Sequence, residues 1–182
     1  MKKVAVYLAE GFEEIEALTT VDILRRAEIE VNLVAVGEKL EVVGAHNITV
    51  LADTLIEDID HDIYDMIVLP GGMPGTTNLD LSEILKKQII DFNFKNKYIG
   101  AICAAPLIIG KMGFFKAREA TCYPGVESHL IGATYRDDID VIVDGNFITS
   151  RGPSTAIPFA LKLVELLKGE KLRAKLATDL LI

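Results

Sequence analysis

Tryptophan is absent from the chain, and cysteine occurs only twice, as Cys103 and Cys122. Two cysteines cannot build the disulfide framework of a small secreted domain. Histidine is scarce as well. His46, His61 and His129 are the three present, and no HxH, HExxH or CxxC spacing occurs, so no metal site is expected. GxGxxG and the Walker loop are missing too, which argues against nucleotide binding. Basic residues are outnumbered, 19 Lys and Arg against 27 Asp and Glu, for a net charge of −8. Phosphate backbones and anionic lipid repel such a chain, so neither nucleic acid nor a membrane surface is an expected partner. No apolar run reaches the ~18–20 residues of a membrane span. Behind Met1-Lys2-Lys3 the first apolar stretch is broken by Glu10, and Glu13, Glu14 and Glu16 follow. That is not the profile of a secretory leader, and the expected location is cytoplasmic.

What remains is an ordinary globular balance, 50% hydrophobic and 25% charged over 182 residues. That length suits one domain, 1–182, with a full core. Lys3–Leu8 is a short Val-rich run, the mark of a strand buried on both faces. Glu13 to Ala27 reads as a helix. Ile15, Leu18, Val21 and Leu24 recur through it, with acids in its first turn and Arg25 and Arg26 in its last. Val31–Val36 is a second strand, and a βαβ unit demands parallel pairing with a right-handed crossover.

The alternation continues. Asn47–Ala52, Met66–Leu69, Tyr98–Ile102 and Ala120–Cys122 read as strands. Leu81–Phe94 and Leu107–Lys111 read as helices, the latter opened by Pro106. Val141–Val143 and Phe147–Thr149 flank Asp144-Gly145-Asn146, a hairpin signal. Ser154 is the expected cap of a helix to Leu167, and Glu170–Leu181 closes the chain. The predicted fold class is α/β: a three-layer domain with a mostly parallel sheet and a small edge hairpin.

In such sheets the functional crevice lies at the carboxyl ends of the strands. Four loops are predicted there: Ala9–Glu14, Pro70–Thr77, Cys103–Pro106 and Ser150–Ser154. Cys103 stands where a strand turns into a helix. A helix N-terminus lowers a thiol pKa and presents a nucleophile above the sheet, and the alternative is a small buried core cysteine. Glu16 is flanked by Ile15, Ala17 and Leu18, a place from which it can face inward; a buried neutral carboxyl donates a hydrogen bond to a thiolate or moves protons. Gly71 and Gly72 follow a strand and offer N–H groups to an anion or oxyanion, or simply form a tight turn. Arg151 is a candidate for binding a carboxylate or pairing with a surface acid.

The four segments AEGFEEIEA, YDMIVLPGG, GAICAAP and ITSRGPSTA occur in that order over nearly the full chain. Together they make the sequence resemble the ThiJ/PfpI superfamily, in its branch of parkinsonism-associated deglycases. The resemblance implies a flavodoxin-like fold, a homodimer and no cofactor. It places an oxidation-sensitive nucleophile on Cys103, its protonated partner on Glu16, and the backbone donors of an anion pocket on Gly72 and Ala104.

Three positions depart from the family pattern. Ala104 stands where many members carry a histidine, so a PfpI-type peptidase lacks its general base. Tyr123 precedes Pro124 where the branch often has a histidine, and a phenol with a pKa near ~10 is a poor base at neutral pH. His46 falls on an arginine that lines the pocket from the neighbouring subunit. The implied activity is that of a glutathione-independent glyoxalase or deglycase, with methylglyoxal or early glycation adducts as substrate. The alternatives are a non-catalytic peroxide sensor and redox-linked chaperone using Cys103, the peptidase, and a role in thiazole biosynthesis.

Overall fold

The first apolar run becomes the spine of the sheet. In the computed structural model, which describes residues 1–182, β1 (Lys3–Leu8) is buried along all but its first residue. Its parallel neighbours are β2 (Glu30–Ala35) on one side and β6 (Met66–Leu69) on the other. A helix covers each face of these strands, which is why their sequences are continuously apolar rather than alternating.

Between β2 and β6 come three short strands, β3 (Glu41–Val43), β4 (Thr49–Leu51) and β5 (Thr54–Leu55). Beyond β6 the chain forms α2 (Gly75–Leu81), α3 (Glu83–Phe94), β7 (Tyr98–Ile102) and α4 (Pro106–Lys111). The remainder is β8 (Glu119–Ala120), β9 (Thr134–Tyr135), β10 (Val141–Asp144), β11 (Phe147–Ser150), α5 (Ala156–Lys168) and α6 (Glu170–Asp179). The helix between β1 and β2 is α1 (Glu14–Arg26).

The main sheet runs β10-β11-β7-β6-β1-β2-β5. Every pairing in it is parallel except the edge hairpin of β10 with β11. Counting only the five long parallel strands in chain order, the sheet reads 2-1-3-4-5, the flavodoxin-like order, with its switch point between β1 and β6. Helices α1, α5 and α6 pack together on one face, and α2, α3 and α4 associate on the other. No helix is long and apolar enough to cross a membrane.

Five local expectations change. The segment 47–52 contributes only β4, which pairs antiparallel with β3 outside the main sheet, and β5 takes the sheet edge instead. The helix expected over 81–94 is α3, which starts at Glu83, and a separate short helix, α2, precedes it over 75–81. Ser82 turns extended and accepts from the Leu85 N–H at 3.2 Å, so a serine capping bond wins over the continuing apolar period. The strand expected over 120–122 is β8, which pairs with β9 rather than entering the main sheet.

Ser154 lies inside a 3₁₀ turn, Pro153–Thr155, and Thr155 rather than Ser154 precedes α5. Finally, the three-residue spacing in α1 misjudges its buried face. Ile15 and Leu18 are exposed, Val21 and Leu24 of the same stripe are buried, and Glu16, Ala17, Thr20 and Ile23 complete the covered face. A strict period of three drifts around a helix whose true period is 3.6.

Candidate active site around Cys103

β7 ends at Ile102, and the next residue turns abruptly. Cys103 has φ +65°, the left-handed region that a side chain bearing a Cβ rarely adopts. Such strain persists only where neighbours over-determine the backbone. Here they do. The Cys103 N–H donates to the Ser150 carbonyl at 2.9 Å, and the Cys103 carbonyl accepts from the Tyr123 N–H at 2.7 Å. The first bond extends the β7–β11 ladder by one step past the Ile102↔Ser150 pair. The second ties the loop after β8 to the same residue. The thiol is therefore held at the carboxyl end of the sheet, one strand from the switch point.

α1 brings Glu16 to this thiol. The side chain is fully buried, 0% exposed. The Gly71 N–H donates to its Oε2 at 2.8 Å, whereas its Oε1 takes no conventional hydrogen bond. The Cys103 thiol is its other side-chain partner. Burial pushes the Glu16 carboxyl up to about 7, against the opposing pull of the Cys103 and Gly71 bonds. The carboxyl is thus poised to hold or release a proton near neutrality.

The thiol does not follow the helix-terminus expectation of a lowered pKa. Burial pushes Cys103 up first, and the charge of Glu16 adds to it, while the N–H groups of Ala104 and Gly72 pull the other way. α4 also starts only at Pro106 and spans six residues, a weak dipole source. One proton serves two acidic groups, so the pair titrates as a unit. The N–H donors around sulfur favour the form with charge on Cys103 and the proton on Glu16; the Gly71 N–H favours the converse.

Two glycines make this approach possible. A Cβ on Gly71 would lie 2.7 Å from the Cys103 Cβ and 2.8 Å from Glu16 Oε2, so cysteine and glutamate meet across its bare backbone. Gly72 has φ +90°, and a Cβ there would meet the Glu13 nitrogen at 2.4 Å. Of the anion donors expected at this turn, the N–H of Gly71 is occupied by Glu16. Those of Gly72 and Ala104 face the sulfur.

The other candidates stand apart. Tyr123 is half exposed and anchored by its backbone, with its ring against Gly152. Arg151 forms no ion pair with an acid of the chain. Its Nε is buried and takes no hydrogen bond. His46 does not line the Cys103 site within its own chain. Its backbone N–H donates to Glu14 Oε1 at 2.7 Å, its ring Nδ1 lies 2.8 Å from Glu14 Oε2, and Glu13 is 3.7 Å away.

Those bonds and charges raise the pKa of His46. Glu14 is pushed up by burial, but its bonds to His46 outweigh that and leave its carboxyl below the usual range. Ligand atoms of Glu13, Glu14 and His46 come within 4.8 Å of one another. The close His46–Glu14 contact makes the group an acid–imidazole cluster, an ion pair when His46 is protonated.

Sequence reasoning missed the role of Glu14, which reads locally as one more acid in a first helical turn. It also missed that the Arg151 charge acts on Cys122. Only the pairing of distant segments reveals either.

The DJ-1/PfpI family profile matches residues 2–166. Protein DJ-1 homolog B of Arabidopsis thaliana is 38% identical over 181 residues, 99% of this chain; the chain spans 41% of that relative's length. Protein dj-1beta of Drosophila melanogaster is 36% identical over 182 residues, covering 100% of this chain and 97% of the relative. The crystal structure of Drosophila DJ-1beta superposes with a TM-score of 0.95, covering 100% of this chain and 98% of the other. A glutathione-independent glyoxalase, DJR-1.2 of Caenorhabditis elegans, is 36% identical over 166 residues, covering 88% of this chain and 85% of the relative.

Proposed function

This chain belongs to the DJ-1/PfpI family, and from that footing we propose that it is a cysteine-dependent stress-response enzyme acting on methylglyoxal or its early adducts with amines. The observation that carries the reading is the buried Glu16 carboxyl, raised to about 7 and set against the Cys103 thiol. The Cys103 sulfur adds to the aldehyde carbon, and neutral Glu16 gives its proton to the former carbonyl oxygen. A hemithioacetal results. The Glu16 carboxylate then removes the hydrogen on that carbon, forming an enediol, and returns the proton to the adjacent carbon. The product is a thioester of lactate. Water cleaves it, releasing lactate and restoring the thiol. If an adduct was the substrate, its amine leaves as well. The N–H groups of Gly72 and Ala104 are placed to hold negative charge at the reacting centre.

The test is lactate formation from methylglyoxal with no added thiol cofactor. Wild type turns over and Cys103→Ala does not. Absence of lactate with wild type, or equal rates for both proteins, overturns the reading.

A second reading rests on the same donors. Hydrogen peroxide oxidises the thiolate to a sulfenate with loss of water, and a second equivalent gives the sulfinate. The N–H groups of Gly72 and Ala104 and a protonated Glu16 suit such an anion, which would make Cys103 a peroxide sensor linked to chaperone activity. Either role is assigned to a cytoplasmic homodimer. Ile15 and Leu18 on α1, with Ile48 and Leu51 on the β3–β4 hairpin, are exposed apolar residues that support self-association. Light scattering on the purified protein decides that point, and a monomer mass removes the dimer.

A further inference from the structure

Away from the Cys103 crevice, two cavities at the carboxyl end of β2 share a wall. One, of about 450 Å³, has Val36, Leu55, Ile56, Leu81 and Ile84 as its apolar lining. The other, of about 280 Å³, is lined by Glu10, Glu38, Lys39 and Glu41 beside Val36 and Val42. Val36, Gly37 and Glu38 belong to both. Asn78 of the first also donates to the Glu10 carbonyl of the second at 2.8 Å. The two cavities are therefore one groove. A Cβ on Gly37 would meet nothing within 4 Å, so the space over the shared wall is open. Neither cavity is lined by Cys103, Glu16 or the donors around them, nor by the apolar residues assigned above to self-association.

The apolar part of the groove faces water. Leu81 is 72% exposed, because α2 ends there and Ser82 turns extended to cap α3. Val36, Leu55 and Ile84 are half-buried, and Ile56 lies beneath them in the core. The rim is acidic. Glu10, Glu38, Glu41 and Glu57 line it, all exposed, with Lys39 as its one cation. None of these five side chains enters an ion pair, whereas Glu30, Asp80 and Glu119 elsewhere each take a lysine or arginine. Four carboxylates gathered along an aliphatic strip repel one another, and cations brought by a partner relieve that repulsion.

We propose that this groove docks an extended segment of another protein in which aliphatic side chains alternate with lysine or arginine. Successive side chains of an extended chain point to opposite faces. One face lays its aliphatic groups on Val36, Leu81 and Ile84. The other carries the long basic side chains, whose flexible stems reach back to Glu10, Glu38 and Glu57 on the rim. The same carboxylates repel phosphate backbones, anionic lipid and acidic peptides. The surface does not depend on the reaction proposed at Cys103, and the two are tested separately.

The test titrates three capped hexapeptides into the isotope-labelled full chain at low salt: one alternating leucine and lysine, one leucine and glutamate, one serine and lysine. The first shifts the amide resonances of Gly37, Glu38 and Leu81 saturably. The glutamate peptide leaves them unmoved, and the serine peptide binds about 10-fold more weakly. Glu38→Gln combined with Glu57→Gln weakens the first peptide about 5-fold, the scale of two exposed ion pairs, and added salt weakens wild type in the same way. Leu81→Ser weakens it about 10-fold, the scale of one aliphatic contact. All three positions are exposed, so the variants fold, and unchanged circular dichroism verifies it. Absence of saturable shifts overturns the docking surface. So does equal affinity for the glutamate or serine peptide, or an affinity that neither set of substitutions moves.

Discussion

The two cysteines make an internal experiment. Both are buried, Cys122 at 0% exposed and Cys103 at 9%. Burial comes first in raising both thiols, Cys122 to about 12 and Cys103 higher still. By burial alone neither is reactive. What separates them is what each thiol meets. Cys122 feels an anion, Glu127, and a cation, Arg151, which act in opposite directions. Cys103 has a partner acid that titrates near neutrality, two backbone donors at sulfur and a strained φ of +65°. On the proposed reading, reactivity comes from a proton-sharing partner, not from exposure.

The comparison breaks most sharply at Glu16. Leucine there leaves a buried thiol without its acid, so kcat/KM for methylglyoxal falls by about 10²-fold or more, the usual worth of a positioned proton donor. The pH midpoint of Cys103 alkylation also moves up from the neutral range. Glu16→Gln, which keeps a donor, is milder in alkylation. If leucine leaves the pH profile unmoved, Cys103 and Cys122 differ for some other reason.

The same residue sets a pH dependence of stability. Its carboxyl titrates near 4.5 when unfolded and about 7 when folded, so the folded state holds the extra proton in between. Stability from this group is full below about 4.5 and is lost as pH rises through 7. At about 1.4 kcal/mol per pH unit, the loss is of the order of 3 kcal/mol. Urea unfolding of Glu16→Gln against wild type at pH 4.5 and pH 8 measures it. The variant gains relative stability only at the higher pH, and equal differences at both pH values refute the buried acid.

Peroxide sharpens the contrast directly. In peptide mass spectrometry, sulfinate on Cys103 is expected to accumulate about 10-fold or more ahead of any oxidation at Cys122, because the thiolate is the reactive species. Equal rates, or Cys122 first, remove the distinction. Next in size is Gly71→Ala. It pushes a methyl group between Cys103 and Glu16 and costs about 1–3 kcal/mol in stability, typical of overpacking. It also slows Cys103 alkylation while leaving Cys122 untouched. The smallest effect is at Tyr123. Its held part is the backbone N–H, and a phenol is a poor base at neutral pH, so Tyr123→Phe changes kcat/KM by less than about 2-fold. Abolished turnover would make the phenol a catalytic donor.

Much of this architecture was legible along the chain. Apolar runs of strand length alternating with helical periods led to a parallel α/β sheet, and the four crevice loops follow from strand ends. Cys103 was legible for the same reason, as the residue at which a strand stops. The misreadings were local contests that periodicity does not see. Ser82 sets the start of α3 with one capping bond, and the exposed Ile15 and Leu18 mimic a core stripe.

The sequence by itself determined which elements form and which residues stand at their ends, because hydrophobic period and turn chemistry act over a few neighbouring residues. Tertiary structure alone decided where protons and charges reside. Glu16 takes the Gly71 N–H and the Cys103 thiol, His46 is claimed by Glu14, and Arg151 is left unpaired. Desolvation and Coulomb energy sum over every atom nearby, and most of the atoms around Cys103 arrive from distant parts of the chain.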